Sequence, residues 1–150
     1  MPSIYAIPFG AVGRHYRIRG TGNSMIIAVD KEIPHAKEAF SQLGQVRLFS
    51  GRNVNREELG DADALIVRTI TPVNASLLNG TPIRFLGAAS AGIDHVDQEY
   101  LKSRGIRFHF AAGCNANSVC EYIVTVLHVM ASRRNWDLRQ KSIAVIGVGN

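Results

Sequence analysis

"ALIVRTITPVNASLLNGTPIRFLGAAS", Ala64 to Ser90, decides the fold. Its two apolar runs, around Ala64–Arg68 and Ile83–Ser90, are short and bounded by turn residues, which is the pattern of strands. Between them Asn74 to Leu78 can make one or two helical turns, closed by Asn79-Gly80. Strand, short helix and strand in so little chain make a unit whose strands run parallel.

Working outward, the same alternation repeats. "IIAV" (Ile26–Val29) is a strand that ends at Asp30. Ala36, Ala39, Phe40 and Leu43 recur at helical spacing, with Gly44 placed as a C-cap. "VRLFS" (Val46–Ser50) is a strand and "NREELG" (Asn55–Gly60) a helical turn. Beyond Ser90, Asp97 caps a helix to Arg104, Gly105 ends it, and "IRFHF" (Ile106–Phe110) is a fifth strand. The expected fold class is α/β, a parallel sheet with helices on both faces. In such sheets the ligand lies beyond the carboxyl ends of the strands. Those ends are Asp30, Ser50-Gly51-Arg52, Arg68-Thr69, Ala89 to Gly92, and Ala111 to Asn117.

A longer helix is expected at about Val119–Arg134, opened by a capping box of Ser118 and Glu121. Its polar residues Glu121, Thr125, His128 and Ser132 fall on one narrow stripe. The rest is apolar, so most of its sides should be buried, as in a connector packed between two domains or in a core helix. A polar segment, "RRNWDLRQK", leads to another apolar strand, Ser142–Ile146. Gly147-Val148-Gly149-Asn150 follows. A dinucleotide fold uses such a turn to bring pyrophosphate to the backbone, with a third glycine expected at position 152 and the ribose-binding acid some way further on. Half of that motif is present, so the chain reads as truncated within it.

The composition is that of a globular protein, 46% hydrophobic and 19% charged. The net charge of +5 is concentrated in the first 24 residues, where Arg14, Arg17 and Arg19 meet no acid. From Met25 onward 14 Lys and Arg face 12 Asp and Glu, and no basic run of the nucleic-acid type occurs. A mildly basic body fits an anionic metabolite. The first 24 residues lack a signal-peptide core and read as a non-native or upstream-start extension before a working start at Met25, the alternative for an Arg-bearing, acid-poor segment being a transit peptide. The longest apolar run, Tyr122 to Ala131, is too short to span a membrane. Cys114 and Cys120 have no second pair to make a zinc site and read as free thiols of a cytoplasmic protein.

Thr69 and Ser90 each follow an apolar strand, and their hydroxyls can donate to and accept from an anionic, hydroxylated ligand. Ala91-Gly92 is placed to form an anion-binding nest. Arg68 offers a fixed charge, or pairs with a local acid. His35, His95, His109 and His128 have neither metal-ligand spacing nor a placed acidic partner, so no metal site and no catalytic histidine are expected among them.

"VDKEIPHAKEAFSQLGQV", "GDADALIVRTITPVNASLL", "FLGAASAGIDHVDQEYLKSRGI", "AAGCNANSVCEYI" and "SIAVIGVGN" together resemble the erythronate-4-phosphate dehydrogenases, within the D-isomer-specific 2-hydroxyacid dehydrogenases. The resemblance runs from about Met25 to Asn150. It implies a flavodoxin-like substrate domain over residues 25–116, an interdomain connector helix over 117–136 and the start of a Rossmann domain over 137–150. It implies NAD as cofactor and oxidation of 4-phospho-D-erythronate at its 2-hydroxyl, in the formation of pyridoxal 5′-phosphate. Carried over by position, it implies that Thr69, Ser90 and Gly92 bind substrate and that Gly147 and Gly149 bind cofactor. The family more often has serine at the first hydroxyl position and threonine at the second, so the two are exchanged here. The family's catalytic Arg, Glu and His would all fall beyond Asn150, as would its dimerising region. No catalytic residue is therefore expected in this chain, which alone should be inactive, while the full-length enzyme would be a homodimer. The alternatives are another D-2-hydroxyacid dehydrogenase, for example one acting on 3-phosphoglycerate, or a binding module without catalysis. No nucleic-acid or membrane partner is expected.

Overall fold

The computed structural model describes residues 24–146. Strands β1 (Ile26–Asp30), β2 (Gln45–Phe49), β3 (Ala64–Val67), β4 (Phe85–Ala88) and β5 (Arg107–Phe110) form one sheet in the order β2-β1-β3-β4-β5. Every pairing is parallel. This is the flavodoxin-like order, in which the chain leaves β1 to one side for β2 and returns to the other for β3. The expected fold class, an α/β flavodoxin-like parallel sheet, is the one observed.

Strand side chains alternate between two cores, as the pleat requires. Ile27, Val29, Ala64 and Ile66 pack with Ala36 of the short helix α1 (Ala36–Phe40). Ala28, Leu65, Val67, Leu86 and Ala88 face the other way. There they meet Leu59 of α2 (Arg56–Leu59), Leu78 of α3 (Ala75–Leu78) and Leu101 of α4 (Gln98–Ser103). Each fully buried leucine or isoleucine in these layers contributes about 1.5–3 kcal/mol. The short helices depend on caps as well as packing. Asn55, Asn74 and Asp97 accept hydrogen bonds from the backbone N–H groups of Glu58, Leu77 and Tyr100, at 2.9, 3.2 and 2.9 Å. Each cap satisfies one of the donors that a helix start leaves free. Gly105 follows α4 with φ of +65°, a conformation that side-chain-bearing residues rarely take.

The expectations fail in the chain's last part and at two local features. Gly44 is not a left-handed cap. A side chain there would collide with the Met25 carbonyl, so glycine serves close backbone approach. The long helix α5 spans Ala116–Arg134 and starts ahead of the Ser118–Glu121 capping box, which is not formed. Turns at Gly113, Cys114 and Ala116 feed the chain into the helix earlier. Burial of α5 on most sides does not occur: Ala131 is its buried residue, and Tyr122 is 70% exposed. Its apolar surface has no covering partner among the described residues. Ser142–Ile146 forms no strand, and Ile146 is 99% exposed. A parallel strand needs a neighbour to receive its hydrogen bonds, and the five-stranded sheet offers this segment none. The extension's residues 1–23 and the glycine turn from Gly147 lie outside the described residues.

Candidate functional site

The β3–β4 ladder pairs Ala64 with Phe85 and continues in step to Val67 with Ala88. Thr69 and Ser90 therefore occupy equivalent places, each two residues past the last paired position of its strand. Adjacent strands lie about 4.7–4.9 Å apart, so the topology brings these two hydroxyl residues side by side at the carboxyl edge. Thr69 is exposed and its hydroxyl has no partner among the described residues. Ser90 is half-buried and donates to the Gly92 carbonyl at 2.8 Å. The backbone N–H groups of Thr69, Ile70, Ser90, Ala91 and Gly92 donate to nothing among the described residues. Two hydroxyls and several free N–H groups on one edge can hold an oxygen-rich anion.

The expected Ala91-Gly92 nest is not formed as such. Neither residue adopts the left-handed conformation that turns successive N–H groups inward. A side chain at Gly92 would meet nothing within 4 Å, so nothing in this domain requires glycine there. The loop is anchored instead through a parallel bridge. Val73 N–H donates to the His95 carbonyl at 2.8 Å, and Asp97 N–H donates to the Val73 carbonyl at 2.9 Å. This bridge ties the segment after β3 to the segment after β4.

Arg68 takes the second of the two roles open to it. Its Nε and a terminal nitrogen donate to the two carboxylate oxygens of Asp30, at 2.9 and 3.2 Å. Asp30 is fully buried and Arg68 is partly exposed. The β1–β3 register sets Val29 against Ile66, so Asp30 and Arg68 meet just past the ladder, where the sheet order reverses. Asp30 also accepts from Glu32 N–H at 3.0 Å. Sequence reasoning missed a third member of this cluster. Thr71 is buried and its hydroxyl donates to the Gly51 carbonyl at 2.9 Å. A side chain at Gly51 would strike both Thr71 Oγ1 and the Asp30 carboxylate. The ends of β1, β2 and β3 are thus locked together below the exposed edge.

Among the described residues, His35, His95, His109 and His128 make no acid–base pair. His109 stacks on Phe85, and His128 Nδ1 sits 2.8 Å from the Val124 carbonyl of its own helix. His95 Nε2 is buried without a hydrogen-bond partner. Burial pushes its pKa below the usual histidine value, against a smaller raising influence from Asp94. Among the described residues no group of His, Cys, Asp or Glu is arranged to hold a metal ion, and no helix is long and apolar enough to cross a membrane. Gly147 and Gly149, the expected cofactor-binding glycines, lie outside the described residues.

The fold is thus a five-stranded flavodoxin-like sheet with two hydroxyls and several unengaged N–H groups at its carboxyl edge. Residues 26–134 match the catalytic domain of the D-isomer specific 2-hydroxyacid dehydrogenases, and the chain belongs to that family. Within it, the chain is 51% identical over 126 residues to the erythronate-4-phosphate dehydrogenase of Salmonella arizonae, and 52% identical to that of Salmonella paratyphi B. Each alignment covers 84% of this chain and 33% of the relative, so the chain spans about a third of the length of the curated relatives it matches. Among solved structures, the NAD⁺-bound 3-phosphoglycerate dehydrogenase of Entamoeba histolytica is similar with a TM-score of 0.57 at 26% identity, over 69% of this chain and 38% of that one.

Proposed function

We propose that residues 25–116 form the substrate-holding domain of an NAD-dependent dehydrogenase that oxidises 4-phospho-D-erythronate at its 2-hydroxyl. Thr69, Ser90 and the backbone at Gly92 are the substrate contacts. Their side-by-side position past the β3–β4 ladder, with N–H groups left free, is the observation that carries this reading. Hydride transfer requires the reacting carbon and the nicotinamide within about 3–3.5 Å of each other. Gly147 and Gly149 match in sequence the start of the glycine motif that would meet the cofactor's pyrophosphate. The exposed apolar sides of α5, which makes up most of the expected connector over 117–136, are where a cofactor domain would pack. The proton of the 2-hydroxyl needs a base, and the histidines of the described residues have no geometry for it. The substrate domain thus grips the acid while a second domain carries the chemistry. A homodimeric, cytoplasmic enzyme supplying pyridoxal 5′-phosphate formation completes the reading.

A chimera tests it. Residues 25–146 replace the matching third of the Salmonella arizonae relative, and the product is assayed with NAD⁺. The expected result is NADH formation from 4-phospho-D-erythronate, well above that from 3-phosphoglycerate. A folded, NAD-binding chimera that prefers 3-phosphoglycerate, or that uses neither acid, would overturn the proposal.

A further inference from the structure

A cleft of about 250 Å³ lies beside the ends of β2 and β3, and neither Thr69, Ser90 nor Gly92 lines it. Its walls include Arg52, Asn55, Arg56 and Asn74, over a floor with Val54 and Leu77. No acidic residue lines it. Arg52 has no hydrogen-bond or ion-pair partner among the described residues, and Arg56 has a single contact, 3.3 Å from one terminal nitrogen to the Asn79 carbonyl. Asn55 and Asn74 use their side-chain oxygens as helix caps, which leaves both amide NH₂ groups unpartnered. The cleft therefore presents two guanidinium groups and two amides as donors, while the Oδ1 atom of each asparagine is engaged in capping.

The backbone below it is held firmly. Gly51, next to Arg52, is clamped by the buried Thr71 hydroxyl and lies against the buried Asp30 carboxylate. Arg52 thus projects from a fixed point rather than from a loose loop. Two unneutralised guanidinium groups beside amide donors match the oxygens of a phosphate group, which accepts forked donors well. From this geometry we infer a second anion site, for a phosphate monoester or phosphate ion, separate from the Thr69–Ser90 edge.

The test titrates inorganic phosphate into the isotopically labelled 150-residue chain and follows backbone, arginine and side-chain amide signals, with chloride at equal ionic strength as the blank. The expected result is saturable shifts at Arg52, Asn55, Arg56 and Asn74. R52Q and R56Q each weaken binding by about tenfold, the loss expected for a charge-assisted contact, while R52K keeps most of it. The double variant T69A/S90A leaves it unchanged, so this site and the proposed substrate site fail or stand independently. Shifts absent at the four residues, or an affinity that R52Q and R56Q do not alter, would overturn the inference. Both arginines are exposed, so neither replacement is expected to unfold the domain.

Discussion

Asp30, at the end of β1, holds the Arg68 guanidinium at the end of β3 through two hydrogen bonds, at 2.9 and 3.2 Å, with no part of the aspartate reaching solvent. The two partners are unequal: Arg68 keeps some exposure and can turn to water, whereas Asp30 cannot. Removing the arginine therefore strands a buried carboxylate. Arg68→Met is expected to cost about 3–5 kcal/mol, the range for breaking a buried pair from one side. Arg68→Lys recovers part of this, because an ammonium lacks the forked geometry. Urea denaturation of the three proteins measures both values.

Gly51 reports on the same lock from the other strand. An added methyl group meets the Asp30 carboxylate and the Thr71 hydroxyl, both buried, rather than a movable surface chain. Gly51→Ala is expected to destabilise by about 1–3 kcal/mol, as overpacking does. Gly92→Ala, with open space around it, should change the stability of this chain by less than about 0.5 kcal/mol. Thermal or urea unfolding of the pair separates a packing requirement from a ligand requirement.

His95 gives the chain an acid-sensitive element. Its Nε2 is buried and unpartnered, and burial lowers its pKa. The unfolded imidazole takes up its proton near pH 6.5, the folded one at lower pH. Between those two values the unfolded state binds more protons. The contribution of His95 is therefore full above about pH 6.5 and lost as pH falls through the folded pKa. Denaturation midpoints followed downward from neutral pH should show this loss, and His95→Gln should flatten that part of the profile. A His95 imidazole titrating at or above the free value by NMR would contradict it.

Ser142–Ile146 should exchange its amide hydrogens at rates close to those of an open chain, because no strand among the described residues pairs with it. Amides in β1 and β3, at the centre of the sheet, should be the slowest. Hydrogen exchange read by mass spectrometry on the 150-residue chain gives both. Strong protection of 142–146 in a monomer would mean that it has a partner strand.

Local signals made the sheet legible. Asp97 caps a helix where its residue type places it, the helical turns after Asn55 and Asn74 form, and the apolar runs from Ile26 to Phe110 fall on the observed strands. Legibility failed where the deciding partner is distant in sequence. Asp30 and Arg68 are 38 residues apart, and only the strand order makes them neighbours. Thr71 meeting Gly51 is of the same kind. The side-by-side placing of Thr69 and Ser90 follows from register, which spacing alone does not reveal. For α5 and Ser142–Ile146, apolar pattern predicted burial, but pattern shows only that a surface suits a partner. Within the described residues that partner is missing.

The proposed function rests on Thr69 and Ser90 gripping the substrate. Its most direct measurement is kcat/KM for 4-phospho-D-erythronate in the chimera carrying Thr69→Ala and Ser90→Ala together. Each lost hydroxyl removes a hydrogen bond to a charged ligand, worth about 1.5–3 kcal/mol. The account predicts a fall of at least about 100-fold with the unfolding midpoint unchanged. A double variant within about twofold of its parent would contradict it.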